Sequence, residues 1–227
     1  MTTFLILAAG ASTRFDGDKL LERFNGFTLP QYAVKFAQDN GATRICVTLA
    51  ERQTYTDGRY MRHAILDDLQ ELCEPEIALQ PSQRYGTGAA VSVWQQRIEE
   101  PTVVLFGDNF YKGTLPSMDD DALCYSTITR DEPARQNLQL ASVLEGFVIE
   151  KPHQQLKGTF FAGFIKMPTS SWNTLPKLQA SSRNEYEITD IINASPTRKA
   201  IALEEHDLIW DGITYADDVQ RIQTLLA

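Results

Sequence analysis

A mixed, mainly parallel α/β sheet flanked by helices is the fold class the sequence predicts, and three observations predict it. Residues 4–9 form a continuous apolar run of strand length that stops at Gly10, the pattern of a central strand buried on both faces. Over residues 1–110 such runs alternate with stretches of helical periodicity, as strand-helix-strand units do. Beyond residue 110, strand-like runs follow one another with little helix between them, so part of the sheet should be antiparallel.

Each element has its own justification. Thr28 ahead of Pro30 predicts an N-cap and a first-turn proline, opening a helix that carries Tyr32, Val34 and Phe36 and stops at Asn40-Gly41. Residues 44–50 are the second strand. Tyr60, Ile65, Leu69 and Leu72 recur at helical spacing, which predicts a second helix over 59–73, followed by a strand over 77–79. A third helix is expected over 86–98, opening at Gly86-Thr87-Gly88, and a buried strand over 102–106 runs into Gly107-Asp108-Asn109. In the second half, strands are expected over 122–129, 140–150, 158–166 and 199–203, with helices over 169–179, 188–192 and 216–226. No linker or repeat separates the halves, so residues 1–227 read as one Rossmann-like domain divided near residue 110.

Composition narrows the function. With 43% hydrophobic and 22% charged residues the chain is ordinary for a globular protein. A net charge of −9 without a Lys/Arg cluster argues against nucleic acid or an anionic membrane as partner. Cys46, Cys73 and Cys124 are scattered and odd in number, so buried reduced thiols are expected rather than disulfides or a metal knuckle. The N-terminus lacks a charged signal region and no apolar run reaches membrane-spanning length, so a cytoplasmic location is expected. Homo-oligomerisation is left open.

The chemistry-bearing residues fall where strands end, which is where open parallel sheets bind ligands. The first strand runs into a turn of small residues, Ala9-Gly10-Ala11-Ser12-Thr13, that ends in Arg14 and reaches Lys19. Backbone N–H groups of such a turn can face an anion, and two nearby cations can neutralise a polyphosphate. Gln80-Pro81-Ser82 and Gly86-Thr87-Gly88 flank the third helix. Asp108 lies at the mouth of the sheet, where it could hold Mg²⁺ together with phosphate oxygens; a turn aspartate is the bland alternative. Asp211 is the best second carboxylate.

Taken together, these residues resemble the nucleotidyltransferase family whose best-known members are sugar-1-phosphate nucleotidylyltransferases such as glucose-1-phosphate thymidylyltransferase. Leu7-Ala8-Ala9-Gly10-Ala11-Ser12-Thr13-Arg14 with Lys19 is similar to its signature loop, and Gly86-Thr87-Gly88-Ala89-Ala90 to its base-side glycine motif. Weaker matches follow in order at Gly107-Asp108-Asn109, Glu150-Lys151-Pro152, Ala162-Gly163, the 185–190 segment and Trp210-Asp211. The resemblance implies the nucleotide-diphospho-sugar transferase type of fold, with a nucleotide-binding half over 1–110 and an acceptor-binding half over 111–227. It implies that Arg14, Lys19 and Lys151 are the catalytic cations. Leu7, Ala8, Ala9, Gly10, Ala11, Ser12, Gln80, Gly86 and Thr87 would bind the nucleotide. Asn109, Glu150, Gly163, Glu185 and Glu187 would meet the acceptor, and Asp108 with Asp211 would coordinate Mg²⁺. The implied reaction is attack by a phosphorylated metabolite on the α-phosphorus of a nucleoside triphosphate, releasing pyrophosphate. The acceptor's phosphate is already ionised near pH 7, its second pKa being ~6, and no general base is needed.

Only four residues separate Arg14 from Lys19, where the thymidylyltransferases carry a longer insert. The short loop is more similar to the cytidylyltransferases of isoprenoid and molybdenum-cofactor pathways, yet Gly107-Asp108-Asn109 replaces the His-Asp-Ala run of the isoprenoid enzyme. A sugar 1-phosphate is therefore the leading acceptor, a phosphorylated alcohol or amine such as phosphocholine the second, and the base stays open. A dinucleotide-dependent oxidoreductase would need Gly-x-Gly-x-x-Gly and an acid about 20 residues on; here Gly10 is followed by Ala11-Ser12-Thr13-Arg14-Phe15. A glycosyltransferase using Asp119-Asp120-Asp121 is another alternative, though that run reads more simply as a solvated turn. A non-catalytic nucleotide binder has no support, since both metal carboxylates and all three cations are present. No further domain is expected beyond Ala227.

Overall fold

The computed structural model describes residues 2–10, 18–52, 61–131, 140–150, 157–173, 175, 177–213 and 218–226. At its centre β1 (Thr3–Ala8) pairs in parallel with β4 (Arg44–Ala50) on one side and β6 (Thr102–Phe106) on the other, and β4 pairs in parallel with β5 (Glu76–Gln80). β11 (Lys157–Met167) joins β6 antiparallel and carries the sheet into the second half, where it also pairs with β8 (Cys124–Asp131) and β9 (Ser142–Leu144). β10 (Phe147–Ile149) pairs with β9, and β12 (Lys199–Ala202) runs parallel to β8, making one nine-stranded sheet from both halves.

Side-chain alternation along β1 builds a core on each face. Phe4, Ile6 and Ala8 enter a cluster with Ala33, Val34 and Phe36 of α1 (Leu29–Asp39) and Ile65 and Leu69 of α2 (Met61–Gln70). Leu5 and Leu7 point the other way, toward Ala90 and Val91 of α3 (Thr87–Ser92), Trp172 of α4 (Thr169–Asn173) and Ile188 and Ile192 of α5 (Ile188–Ala194). The short hairpin of β2 (Arg23–Phe24) with β3 (Phe27–Thr28) leads into α1, which starts as its sequence predicts: the Thr28 hydroxyl accepts from Gln31 N–H while the Gln31 side chain accepts from Thr28 N–H, a reciprocal cap. No helix among the described residues is long and apolar enough to cross a membrane.

Four elements differ from expectation. The strand expected over 140–150 is a hairpin, β9–β10, turning at Glu145 and Gly146, both at positive φ (51° and 77°). α3 ends at Ser92 and continues only as successive turns, with Trp94, Gln95 and Arg97 N–H each bonded three residues back. The helix expected over 169–179 stops at Asn173. A two-stranded ribbon, β7 (Asn109–Gly113) with β13 (Leu208–Gly212), was not expected at all. It places Asn109 opposite Gly212 and Phe110 opposite Asp211. α6 (Asp218–Leu226) packs beneath this ribbon through Phe110, Ile213 and Ile222.

Candidate active site

A cleft opens beyond the carboxyl ends of β1, β5 and β6. Leu7, Ala9, Gly10, Leu20, Gln80, Tyr85, Gly86, Thr87, Ala90, Phe106, Asp108 and Glu185 line it. Leu7 and Ala9 face the cleft; Ala8 between them is buried in the opposite core, as alternation requires. At one end Lys19, 9% exposed, holds its ammonium 2.5 Å from Asp108 Oδ2 and 3.0 Å from the Ile213 carbonyl. The β6–β7 turn that carries Asp108 is fastened twice: Gly107 N–H donates to Leu7 O, and Ile213 N–H donates to Asp108 O. Asp108 is thus presented to the cleft with one fixed cation partner.

The other end is built by two segments a hundred residues apart. Gly88 N–H donates to Tyr186 O, Tyr186 N–H donates to Tyr85 O, and Ile188 N–H donates to the Thr87 hydroxyl. The approach is so close that only glycine fits. Gly86 sits at φ +116°, where a Cβ would run into the Tyr186 backbone, and at Gly88 a Cβ would stand 2.5 Å from Glu187 O. Buried Gln80 donates both amide hydrogens, to Arg84 O and Gly86 O, so what it offers the cleft is a carbonyl oxygen. Gly86→Ala is expected to lower stability by at least about 1–3 kcal/mol through its backbone conformation alone. Gly10→Ala, with nothing within 4 Å of the added Cβ, should leave chemical denaturation nearly unchanged.

Residues 4–111 match the family model described as MobA-like NTP transferase domain. The chain has a nucleotidyltransferase fold. Solved structures share it over nearly their full lengths. A Bacillus anthracis protein described as a glucose-1-phosphate thymidylyltransferase has a TM-score of 0.74 at 18% identity, covering 99% of this chain and 95% of its own. The inositol-1-phosphate CTP transferase of T. maritima has a TM-score of 0.71 at 17% identity, with 99% and 94% covered. The CTP:phosphocholine cytidylyltransferase of Streptococcus pneumoniae has a TM-score of 0.67 at 14% identity, with 100% and 99% covered. No curated protein sequence matches the chain.

Within this nucleotidyltransferase fold, the residues predicted from sequence divide into three groups. Leu7, Ala9, Gly10, Gln80, Gly86, Thr87, Asp108 and Glu185 line the cleft, and Lys19 touches Asp108. Arg14, Ala11, Ser12 and Lys151 lie outside the described residues. The rest stand behind or beside the cleft. Asn109 is buried next to Asp108, and Gly163, at φ +86° in an irregular stretch of β11, packs against the Trp210 ring. Glu150, Glu185 and Glu187 converge on Arg183, whose Nη2 lies 3.0, 3.5 and 2.8 Å from their respective oxygens.

Asp211, expected as the second metal carboxylate, has a cation partner of its own. Buried on β13, it forms a two-pronged ion pair with Arg221 of α6, through Nε and through Nη2 at 2.8 Å, and Arg221 also bonds Asp218 at 2.9 Å. Burial disfavours the charged guanidinium, but the bonds and charges of Asp211 and Asp218 outweigh it and raise its pKa. No cluster of three or more metal-ligating side chains occurs among the described residues. Mg²⁺ needs only one or two carboxylates beside phosphate oxygens and water, so Asp108 alone fits it once a nucleotide is present. Tyr85, Arg183 and Arg221 escaped the sequence reading, and Trp210 entered it only as the neighbour of Asp211 in a motif. Tyr85 adjoins a recognised motif, Arg183 lies two and four residues from Glu185 and Glu187, and Arg221 lies three and ten from Asp218 and Asp211, so these could have been found; Trp210 meets Asn109, a residue distant in the chain.

Proposed function

We propose that the protein transfers a nucleoside monophosphate from a nucleoside triphosphate to a phosphorylated small metabolite, releasing pyrophosphate. One observation carries the reading: Asp108, Gln80 and Gly86 from the first half line the same cleft as Glu185 from the second, so a donor and an acceptor can meet there. The triphosphate would lie over Leu7–Gly10 with its base toward Gln80, Gly86 and Tyr85. Lys19 would neutralise phosphate charge, joined from the sequence by Arg14 and, on the acceptor side, Lys151. A divalent cation bound with the nucleotide would neutralise developing charge on the transferred group, and Asp108 would hold it; Asp211 could join only by releasing Arg221. Catalysis is then alignment and charge neutralisation without a general base.

A sugar 1-phosphate is the leading acceptor. The second reading, a phosphorylated amine, is favoured by Glu185 and Glu187, two carboxylates on the single guanidinium of Arg183, Glu185 lining the cleft. That excess of negative charge, counted among the described residues, suits a cationic end on the acceptor. The test is pyrophosphate release with CTP, dTTP, UTP, ATP and GTP against sugar 1-phosphates and phosphocholine in Mg²⁺. Turnover with a sugar 1-phosphate supports the first reading, and turnover confined to phosphocholine supports the second. Nucleotide binding with no turnover in any pair contradicts both.

A further inference from the structure

A line of side-chain contacts reaches Asp108 from outside the cleft. Trp210, on β13, is buried, and its indole nitrogen lies 2.9 Å from the side-chain amide of Asn109. The other atom of that amide lies 3.2 Å from Asp108 Oδ1. An indole N–H can only donate and a carboxylate can only accept. One amide orientation satisfies both, with the Asn109 oxygen toward Trp210 and its nitrogen toward Asp108. Lys19 meets the opposite carboxylate oxygen, Oδ2, at 2.5 Å. Each oxygen of Asp108 thus has one fixed donor and retains a lone-pair direction for the cleft.

We propose that Trp210 is a positioning residue for the transfer, acting through Asn109 on the Asp108 carboxylate. The inference rests on the reading of Asp108 as a working carboxylate of the cleft. The last torsion of an aspartate is broad and nearly two-fold, so a carboxylate bonded from one side only is free to swing. Asn109 removes that freedom only while its nitrogen points at Asp108, and the Trp210 N–H holds it so. Without the indole donor the amide can turn over and set its oxygen against the Asp108 oxygen, which repels it.

Trp210→Phe keeps a ring in place and removes the donor. Turnover is expected to fall about tenfold, the worth of one buried hydrogen bond, with KM for both substrates within about twofold and a melting temperature near wild type. A second readout needs no turnover. The chain has three tryptophans, and ¹⁵N-indole labelling gives each an N–H signal, Trp210's being the one lost in Trp210→Phe. Asp108→Asn should move that signal and leave that of Trp94, which donates to the Thr48 hydroxyl. Wild-type kcat in a folded Trp210→Phe protein, or a Trp210 signal indifferent to Asp108→Asn, overturns the proposal. Should Trp210→Phe fail to fold, Asn109→Leu carries the same expectations, with the Trp210 signal then assigned by the shift it undergoes. Should the wild-type protein turn over no substrate pair, the proposed function falls while the indole signal still decides the relay.

Discussion

Asp108→Asn is expected to lower turnover about a thousandfold while leaving the protein folded. A cation held at a reacting phosphate contributes several kcal/mol of charge stabilisation, and each 1.36 kcal/mol is tenfold in rate. The fold should tolerate the change because Asn keeps the shape of Asp108, whose side chain is about a third exposed, and the nearly buried Lys19 keeps its bond to the Ile213 carbonyl; a loss of about 1–2 kcal/mol, between the exposed and buried limits for an ion pair, is expected. A second consequence has the opposite sign. Asp108 carries negative charge into the cleft where a triphosphate is proposed to bind and occupies Lys19. Removing that charge frees the ammonium, so metal-free nucleotide should bind the variant more tightly than wild type. Calorimetric titration with EDTA present checks this, and weaker metal-free binding would show that Lys19 does not face the nucleotide.

Arg221→Ala is expected to have the larger effect on stability. It removes the guanidinium from two buried carboxylates, Asp211 at 6% and Asp218 at 1% exposure, and it cuts the bond from α6 to the Gly212 carbonyl. Breaking a fully buried pair costs about 3–5 kcal/mol. The Arg221 side chain is itself 44% exposed, so water offsets part of the loss and about 2–3 kcal/mol is expected. For a chain of this size that is about 5–10 °C in melting temperature. The same pair separates two roles for Asp211. If it serves chiefly to anchor α6, Asp211→Asn lowers the melting temperature and leaves the Mg²⁺ dependence of turnover unchanged. A shifted Mg²⁺ dependence at unchanged stability would return it to the metal.

The parallel half of the fold was legible because its signals are local. The apolar run of β1, the Thr28 cap with Pro30, and the punctuation at Asn40-Gly41 each specify an element from a few neighbouring residues. The hairpin within 140–150 was missed because Glu145-Gly146 is a weaker turn signal than Asn-Gly or Asp-Gly, and Leu144 and Phe147 on either side of it read as one apolar run. The end of α3 was missed because turns bonded three residues back preserve nearly the same apolar spacing as a helix. In the site, Lys19, Gln80, Gly86 and Asp108 were legible as strand-end residues of recognisable motifs. The ribbon of β7 with β13 was not, since it joins segments about a hundred residues apart through backbone bonds that any sequence can make. The contact of Asn109 with Trp210 depends on that ribbon and was hidden with it.

Bond making is expected at the α-phosphorus. It is tested by following nucleoside triphosphate labelled separately at the α and γ positions through reaction with the acceptor that supports turnover. The α label is expected in a product joined to the acceptor's phosphate and the γ label in pyrophosphate. A γ label appearing as inorganic phosphate, or an α label that never joins the acceptor, would contradict it.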